Sequence, residues 1–213
     1  MTRRSRVLIP TEPQLRSTRK QLRMLAGSLP AKADTVILGD SLAVAWPASL
    51  LSAVFVAKTV FNFGVPGERI QNTLWRLKAL GTAHLRPEAV VLFLGTNNLG
   101  DGDPPGEVAV GIAQVIETAA RLWGSPKFLL ITVPRRWDAR EHESERLMLN
   151  ESLRQRYERD RKVCLVEADG VLDPAARHIQ FYEADGLHLA PEAYKALTRQ
   201  LAIVVAQTPE HWM

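Results

Sequence analysis

The sequence predicts a single α/β domain, a parallel sheet of about five strands sandwiched between helices, and three observations predict it. Short apolar runs alternate with longer segments whose apolar residues recur at helical spacing. The short runs are near-continuous Val, Leu, Ile and Phe, the composition of strands buried on both faces. Three of the runs stop in small polar turns, at Gly39-Asp40-Ser41, Asn62-Phe63-Gly64 and Gly95-Thr96-Asn97. Open α/β sheets bind their ligands at the carboxyl ends of their strands, where such turns emerge.

Residues 13–27 are expected to form a first helix, with Leu15, Leu22, Leu25 and Ala26 on one face and Gly27 near its end. Strands are expected at 35–39, 58–63, 89–94, 127–133 and 162–167. Helices are expected between them at about 66–80, 106–123 and 142–160, and a last one at about 191–206. The 106–123 segment places Val108, Ile112, Val115, Ile116 and Ala119 at helical spacing. No stretch reads as an interdomain linker, so residues 1–213 are taken as one domain with a core at about 30–206.

Composition narrows the function class. Apolar residues are 46% and charged residues 23% of the chain, a globular balance. No run approaches the roughly 18 apolar residues of a spanning helix. Val7-Leu8-Ile9 is too short for the apolar region of a signal peptide, and the single cysteine, Cys164, cannot form an internal disulfide; both favour a cytoplasmic location. The net charge of +4 comes from dispersed arginines and lysines without a helix-turn-helix, zinc or RNP-type motif, so no nucleic-acid partner is expected.

The chemistry gathers at the strand ends. Ser41 directly follows the first strand, and Asp185-Gly186-Leu187-His188 precedes the last helix, a connection that also leaves the carboxyl edge. Ester cleavage needs a nucleophile, a base near neutrality, a group that orients the base, and donors for the oxyanion. Ser41, His188 and Asp185 supply the first three. The amides of Ser41 and Gly64 and the side chain of Asn97 are the expected oxyanion donors. No metal and no cofactor is required. Asp40 is read as a turn residue, Asp101 and Asp103 as parts of a loop, and His84, His142, His178 and His211 as lacking a positioned acid. Trp46 reads either as the wall of an acyl pocket or as packing under a short helix, while Arg135, Arg136 and Trp137 follow the fourth strand and are candidates for the rim of the site.

Gly39-Asp40-Ser41-Leu42, Gly64, Gly95-Thr96-Asn97 and Asp185-x-x-His188 resemble, in order and spacing, the four blocks of the SGNH or GDSL hydrolase superfamily. The segments 62–67, Leu74-Trp75-Arg76-Leu77 and Gly95-Thr96-Asn97-Asn98 are most similar to the branch of the platelet-activating-factor acetylhydrolase type Ib catalytic subunits. The resemblance implies a flavodoxin-like three-layer α/β/α sandwich of strand order 2-1-3-4-5, metal-independent hydrolysis of a small, short-chain acyl ester, and a homodimer. Acetylated saccharides and lysophospholipid-like esters are further candidates on the same machinery, and a non-catalytic binding domain is the alternative. Pro66-Gly67-Glu68-Arg69 departs from the Gly-Gly-Asp-Thr or Ser-Gly-Asp-Thr of many relatives, beside the expected oxyanion glycine.

Overall fold

The computed structural model describes residues 5–172 and 178–207. Helix α1 (Arg16–Gly27) leads into β1 (Thr35–Gly39), followed by the short helices α2 (Ser41–Val44) and α3 (Ala48–Val54). Then come β2 (Val60–Gly64), α4 (Ile70–Ala79), β3 (Ala89–Phe93), α5 (Thr96–Gly100) and α6 (Pro105–Trp123). The chain continues through β4 (Lys127–Ile131), α7 (Glu143–Tyr157), β5 (Val163–Val166), α8 (His178–Phe181) and α9 (Pro191–Gln207). The five strands are all parallel, in the order β2-β1-β3-β4-β5, as the resemblance implies.

Strand alternation divides the core in two. Val36 and Leu38 of β1, Val90 and Leu92 of β3, and Phe128 and Leu130 of β4 face one layer, built from α1, α4, α6 and α7. Ile37, Val91, Phe93, Leu129 and Ile131 face the other, where Leu42, Leu51, Tyr194, Leu197 and Leu201 of α2, α3 and α9 close over them. Both faces of β1 and β3 are therefore buried, which accounts for their uninterrupted apolar sequence.

Two departures from the expected elements lie at the sheet's carboxyl edge. Helix α4 starts at Ile70 rather than 66, because Val65–Glu68 forms a tight turn closed by Glu68 N–H onto Val65 O. Gly67 in that turn has φ +66°, and with Pro66 before it the pattern is that of a type II turn. The short helices α2, α3, α5 and α8 fall outside the expected helix spans, with α2 and α3 one on each side of Pro47. Gly39 is required on packing grounds: a Cβ there would sit 2.2 Å from the Phe93 carbonyl oxygen, so only glycine lets β1 end against β3.

Candidate active site

The sheet register sets three polar turns side by side. Gly39, Gly64 and Phe93 are register partners across β2, β1 and β3, so the residues that follow them leave the same edge as neighbours. Asp40 caps α2, its Oδ1 accepting from Leu42 N–H at 3.0 Å, and this places Ser41 at the first helical position. The other end of α2 is bolted down: Tyr194 Oη–H donates to Leu42 O (2.9 Å) and Asn62 Nδ2 to Ala43 O (2.8 Å). Ser41 thus sits on a short helix held by side chains of α9 and β2.

The Asp185–His188 segment reaches this element from the far end of the chain. His188 Nδ1 lies 2.6 Å from Asp185 Oδ2, and His188 Nε2 lies 3.0 Å from Ser41 Oγ. A carboxylate accepts only, so Asp185 requires a proton on Nδ1 and leaves the Nε2 lone pair facing the serine hydroxyl. The same Asp185 accepts through Oδ1 from the amides of Leu187 (3.0 Å) and His188 (2.9 Å). Its hydrogen bond with the His188 ring, reinforced by those amides, holds its carboxyl at about 2, below the usual range. Asp185 therefore remains ionised throughout the neutral range. The loop is pinned by Glu183 N–H to His188 O (2.8 Å) and Trp137 N–H to Gly186 O (2.8 Å).

Asn97 is the second residue of α5, and its Nδ2 donates one hydrogen to Glu68 O at 3.0 Å, leaving the second for a ligand. The expectation for Gly64 is corrected here. Its single amide hydrogen goes to Asn62 Oδ1 at 2.9 Å, and a Cβ on it would lie 2.8 Å from Val44 N, so this glycine serves the packing of β2 against α2. The neighbouring glycine that sequence spacing passed over is Gly67, in the turn that Asn97 contacts; its amide has no hydrogen-bond partner among the described residues. The one available signal was Pro66 before it, which marks a turn with an outward-facing amide.

The remaining candidates separate by burial. Trp46 is a core residue, 2% exposed, its Nε1–H given to Thr198 Oγ1 (3.0 Å) and its ring packed on Phe93 and Tyr194. The acyl-pocket reading is thereby replaced by the packing one. Trp137 lines, with Asp138, Tyr182 and the 183–186 loop, an open depression of about 590 Å³ beside Asp185. Arg135 stacks on the Trp137 ring at 4.8 Å and pairs with Glu143 at 3.2 Å. Arg136 forks onto Asp138 (3.1 and 2.7 Å) and reaches Thr96 O (3.3 Å). Asp101 and Asp103 are engaged by Arg69 and Arg6, and no group of three His, Cys, Asp or Glu could hold a metal among the described residues. His84 bridges Gly81 O and Pro30 O. The His178 side chain and His211 lie outside the described residues.

Two buried carboxyls flank the site. Asp40 is 1% exposed and its Oδ2 has no partner among the described residues; burial pushes its carboxyl up to about 7, opposed by the Leu42 amide. Glu68 is fully buried, bound by Arg76 Nε and Nη2 (2.5 and 2.8 Å) and by Thr73 Oγ1 (2.8 Å). Burial pushes the Glu68 carboxyl above its ordinary value, and Arg76 works against that rise. The Arg76 guanidinium also lies 4.2 Å from the centre of the Phe63 ring.

A model of the GDSL-like Lipase/Acylhydrolase family matches residues 27–196. The Platelet-activating factor acetylhydrolase IB subunit alpha1 of Rattus norvegicus is 27% identical over 184 residues, covering 84% of this chain and 78% of that protein. The alpha2 subunit of Bos taurus is 24% identical, covering 83% and 80%. Among solved structures, a putative platelet activating factor from Streptococcus pneumonia superposes with TM-score 0.69 at 23% identity, covering 87% of this chain and 91% of that one. A Clostridium thermocellum family 3 carbohydrate esterase does so with TM-score 0.66 at 15% identity, covering 83% and 96%.

Proposed function

The chain belongs to the GDSL-like lipase/acylhydrolase family, as a serine ester hydrolase of the SGNH type, and from that premise we propose that it cleaves a short-chain, acetyl-like ester through Ser41, His188 and Asp185. The observation that carries this reading is the continuous chain Ser41 Oγ to His188 Nε2 (3.0 Å) and His188 Nδ1 to Asp185 Oδ2 (2.6 Å), assembled from residues 147 positions apart.

Ser41 Oγ attacks the ester carbonyl while its proton passes to His188 Nε2. The new Oγ–C bond produces a tetrahedral oxyanion, which the Ser41 amide, the Asn97 side chain and the Gly67 amide receive. Collapse breaks the bond to the leaving alcohol, which takes the proton from Nε2. Water then attacks the acyl-serine while His188 again accepts a proton; the acyl carbon–Oγ bond breaks, Nε2 returns the proton to Ser41 Oγ, and the acid leaves. Asp185 remains charged throughout and stabilises the imidazolium. The acetyl preference is supported by the names of the relatives, which are acetylhydrolase subunits. The homodimer rests on the resemblance to that branch alone, and the single cysteine supports a cytoplasmic setting.

One assay tests the reading. Hydrolysis of p-nitrophenyl acetate is expected to exceed that of the octanoate, and to decline as pH is lowered from about 8 to about 5. The sign follows from the two partners. Asp185 stays ionised down to about pH 2, so a decline above that arises from the base that must accept the Ser41 proton or from Asp40, whose carboxyl is pushed up to about 7; an Asp40→Asn variant that keeps the decline assigns it to the base. A flat profile contradicts the role of His188, and a preference for the octanoate contradicts the short-acyl assignment.

A further inference from the structure

The turn Val65–Glu68 is gripped at three consecutive carbonyls by three different elements. Pro66 O accepts from Thr18 Oγ1 (2.9 Å), Gly67 O from Arg69 Nη1 (2.6 Å), and Glu68 O from Asn97 Nδ2 (3.0 Å). The first of these contacts has the most direct consequence. Pro66 C=O and Gly67 N–H belong to one planar trans peptide, in which carbonyl and amide point in opposite directions. Holding Pro66 O therefore aims the Gly67 amide. Turns with Pro and Gly at their centre interconvert by rotation of this central peptide, which reverses its amide direction. A hydrogen bond to its carbonyl opposes that rotation.

Thr18 is 1% exposed, which shields its end of the bond from water. It lies on α1, before the residues matched to the family. The N-terminal segment that carries it is anchored independently. Val7 is fully buried against the α4–α6 layer, and Asn72 Nδ2 donates to Thr11 O at 2.9 Å. The Leu15 side chain lies 3.4 Å from the position a Gly67 Cβ would occupy. Arg69 secures the following peptide, forking onto Asp101 (2.9 and 2.8 Å), the residue that caps the Asn97 helix.

We propose that Thr18 is a positioning residue for ester hydrolysis, its hydroxyl fixing the Pro66–Gly67 peptide so that the Gly67 amide stays aimed beside Asn97 for the oxyanion. The N-terminal helix is then part of the catalytic apparatus rather than only a support for the fold. The inference rests on the assignment of Ser41 as nucleophile and of the Gly67 amide as an oxyanion donor.

The test compares Thr18→Val, which keeps the shape and removes the hydroxyl, with Thr18→Ser, which keeps the hydroxyl, using p-nitrophenyl acetate and a small alkylboronic acid as a tetrahedral mimic. Rates are normalised by fluorophosphonate titration of active sites, so that loss of folded protein does not count. Thr18→Val is expected to lower kcat about 10-fold, part of the roughly 10²–10³ that loss of a whole donor costs. KM should stay within about twofold, since a contact made only in the transition state is lost. Boronate affinity should weaken by the same factor as kcat/KM, and Thr18→Ser should restore both. An unchanged kcat in Thr18→Val, an unchanged boronate affinity, or an equal loss in Thr18→Ser overturns the proposal. Ser41→Ala measured alongside separates the two levels: activity retained there removes the underlying assignment, whereas an inactive Ser41→Ala beside a fully active Thr18→Val removes only this one.

Discussion

Ser41→Ala is expected to lower kcat for p-nitrophenyl acetate by roughly 10⁶-fold, the scale on which removal of a serine nucleophile acts in a serine hydrolase triad. The expectation follows from geometry rather than from the presence of a serine. Ser41 Oγ is the group that His188 Nε2 faces at 3.0 Å, and the helix bearing it is held by Tyr194 and Asn62. Alanine removes the hydroxyl and disturbs none of those supports, so the variant should unfold with the wild type in urea. Residual hydrolysis would come from water attacking in a site that still offers oxyanion donors. A loss of only a few-fold would place the nucleophile elsewhere.

Arg76→Leu is expected to destabilise the fold by about 3–5 kcal/mol, because it leaves Glu68 buried and uncompensated. Arg76 and Glu68 have no exposed side-chain surface, and the guanidinium supplies two of the three hydrogen bonds that Glu68 accepts. Replacing both partners should be milder than replacing one. A Glu68→Leu/Arg76→Leu double variant removes the buried charge altogether, and such exchanges are often close to neutral. Urea unfolding of the three proteins measures the non-additivity. Equal losses in the single and the double variant would contradict the ion-pair account. Because Glu68 O also accepts from Asn97, the single variant is expected to lose kcat as well.

The sequence was most readable where one physical rule acts alone. A parallel sheet places successive strand ends on one edge, so the sequence alone gathers Ser41, Asn97 and the Asp185–His188 pair. The strand runs were legible because β1 and β3 are buried on both faces, with Thr35 the one polar side chain between them. Legibility failed where several roles suit one residue type. Gly64 ends β2 and Gly67 lies three positions on, in the turn that follows, and only the hydrogen bond from Gly64 to Asn62 reveals which amide is already committed. Trp46 follows the nucleophile closely enough to line a pocket, yet its indole N–H finds Thr198 from α9, a contact 152 residues distant that no local pattern announces. The start of α4 was misplaced for a related reason. Pro66 suits the first turn of a helix as well as the second position of a type II turn, and the buried Glu68–Arg76 pair holds the turn.

Thr18 illustrates a further limit. As a threonine in an otherwise basic helix it gives no sign of purpose, and its contact with Pro66 spans 48 residues. Such a contact becomes visible only once α1 is docked across the sheet edge. Arg69 and Asp101 are similar: a departure from the family's usual turn residues and an apparent loop aspartate turn out to be one forked ion pair.

The most direct test of the central claim is covalent: incubation of the wild-type protein with a fluorophosphonate, followed by mass spectrometry of the labelled peptide. A single adduct on Ser41, absent from Ser41→Ala and slowed in a His188→Ala variant, is the predicted result. No adduct under conditions that label a known serine hydrolase, or an adduct that persists in Ser41→Ala, would contradict it.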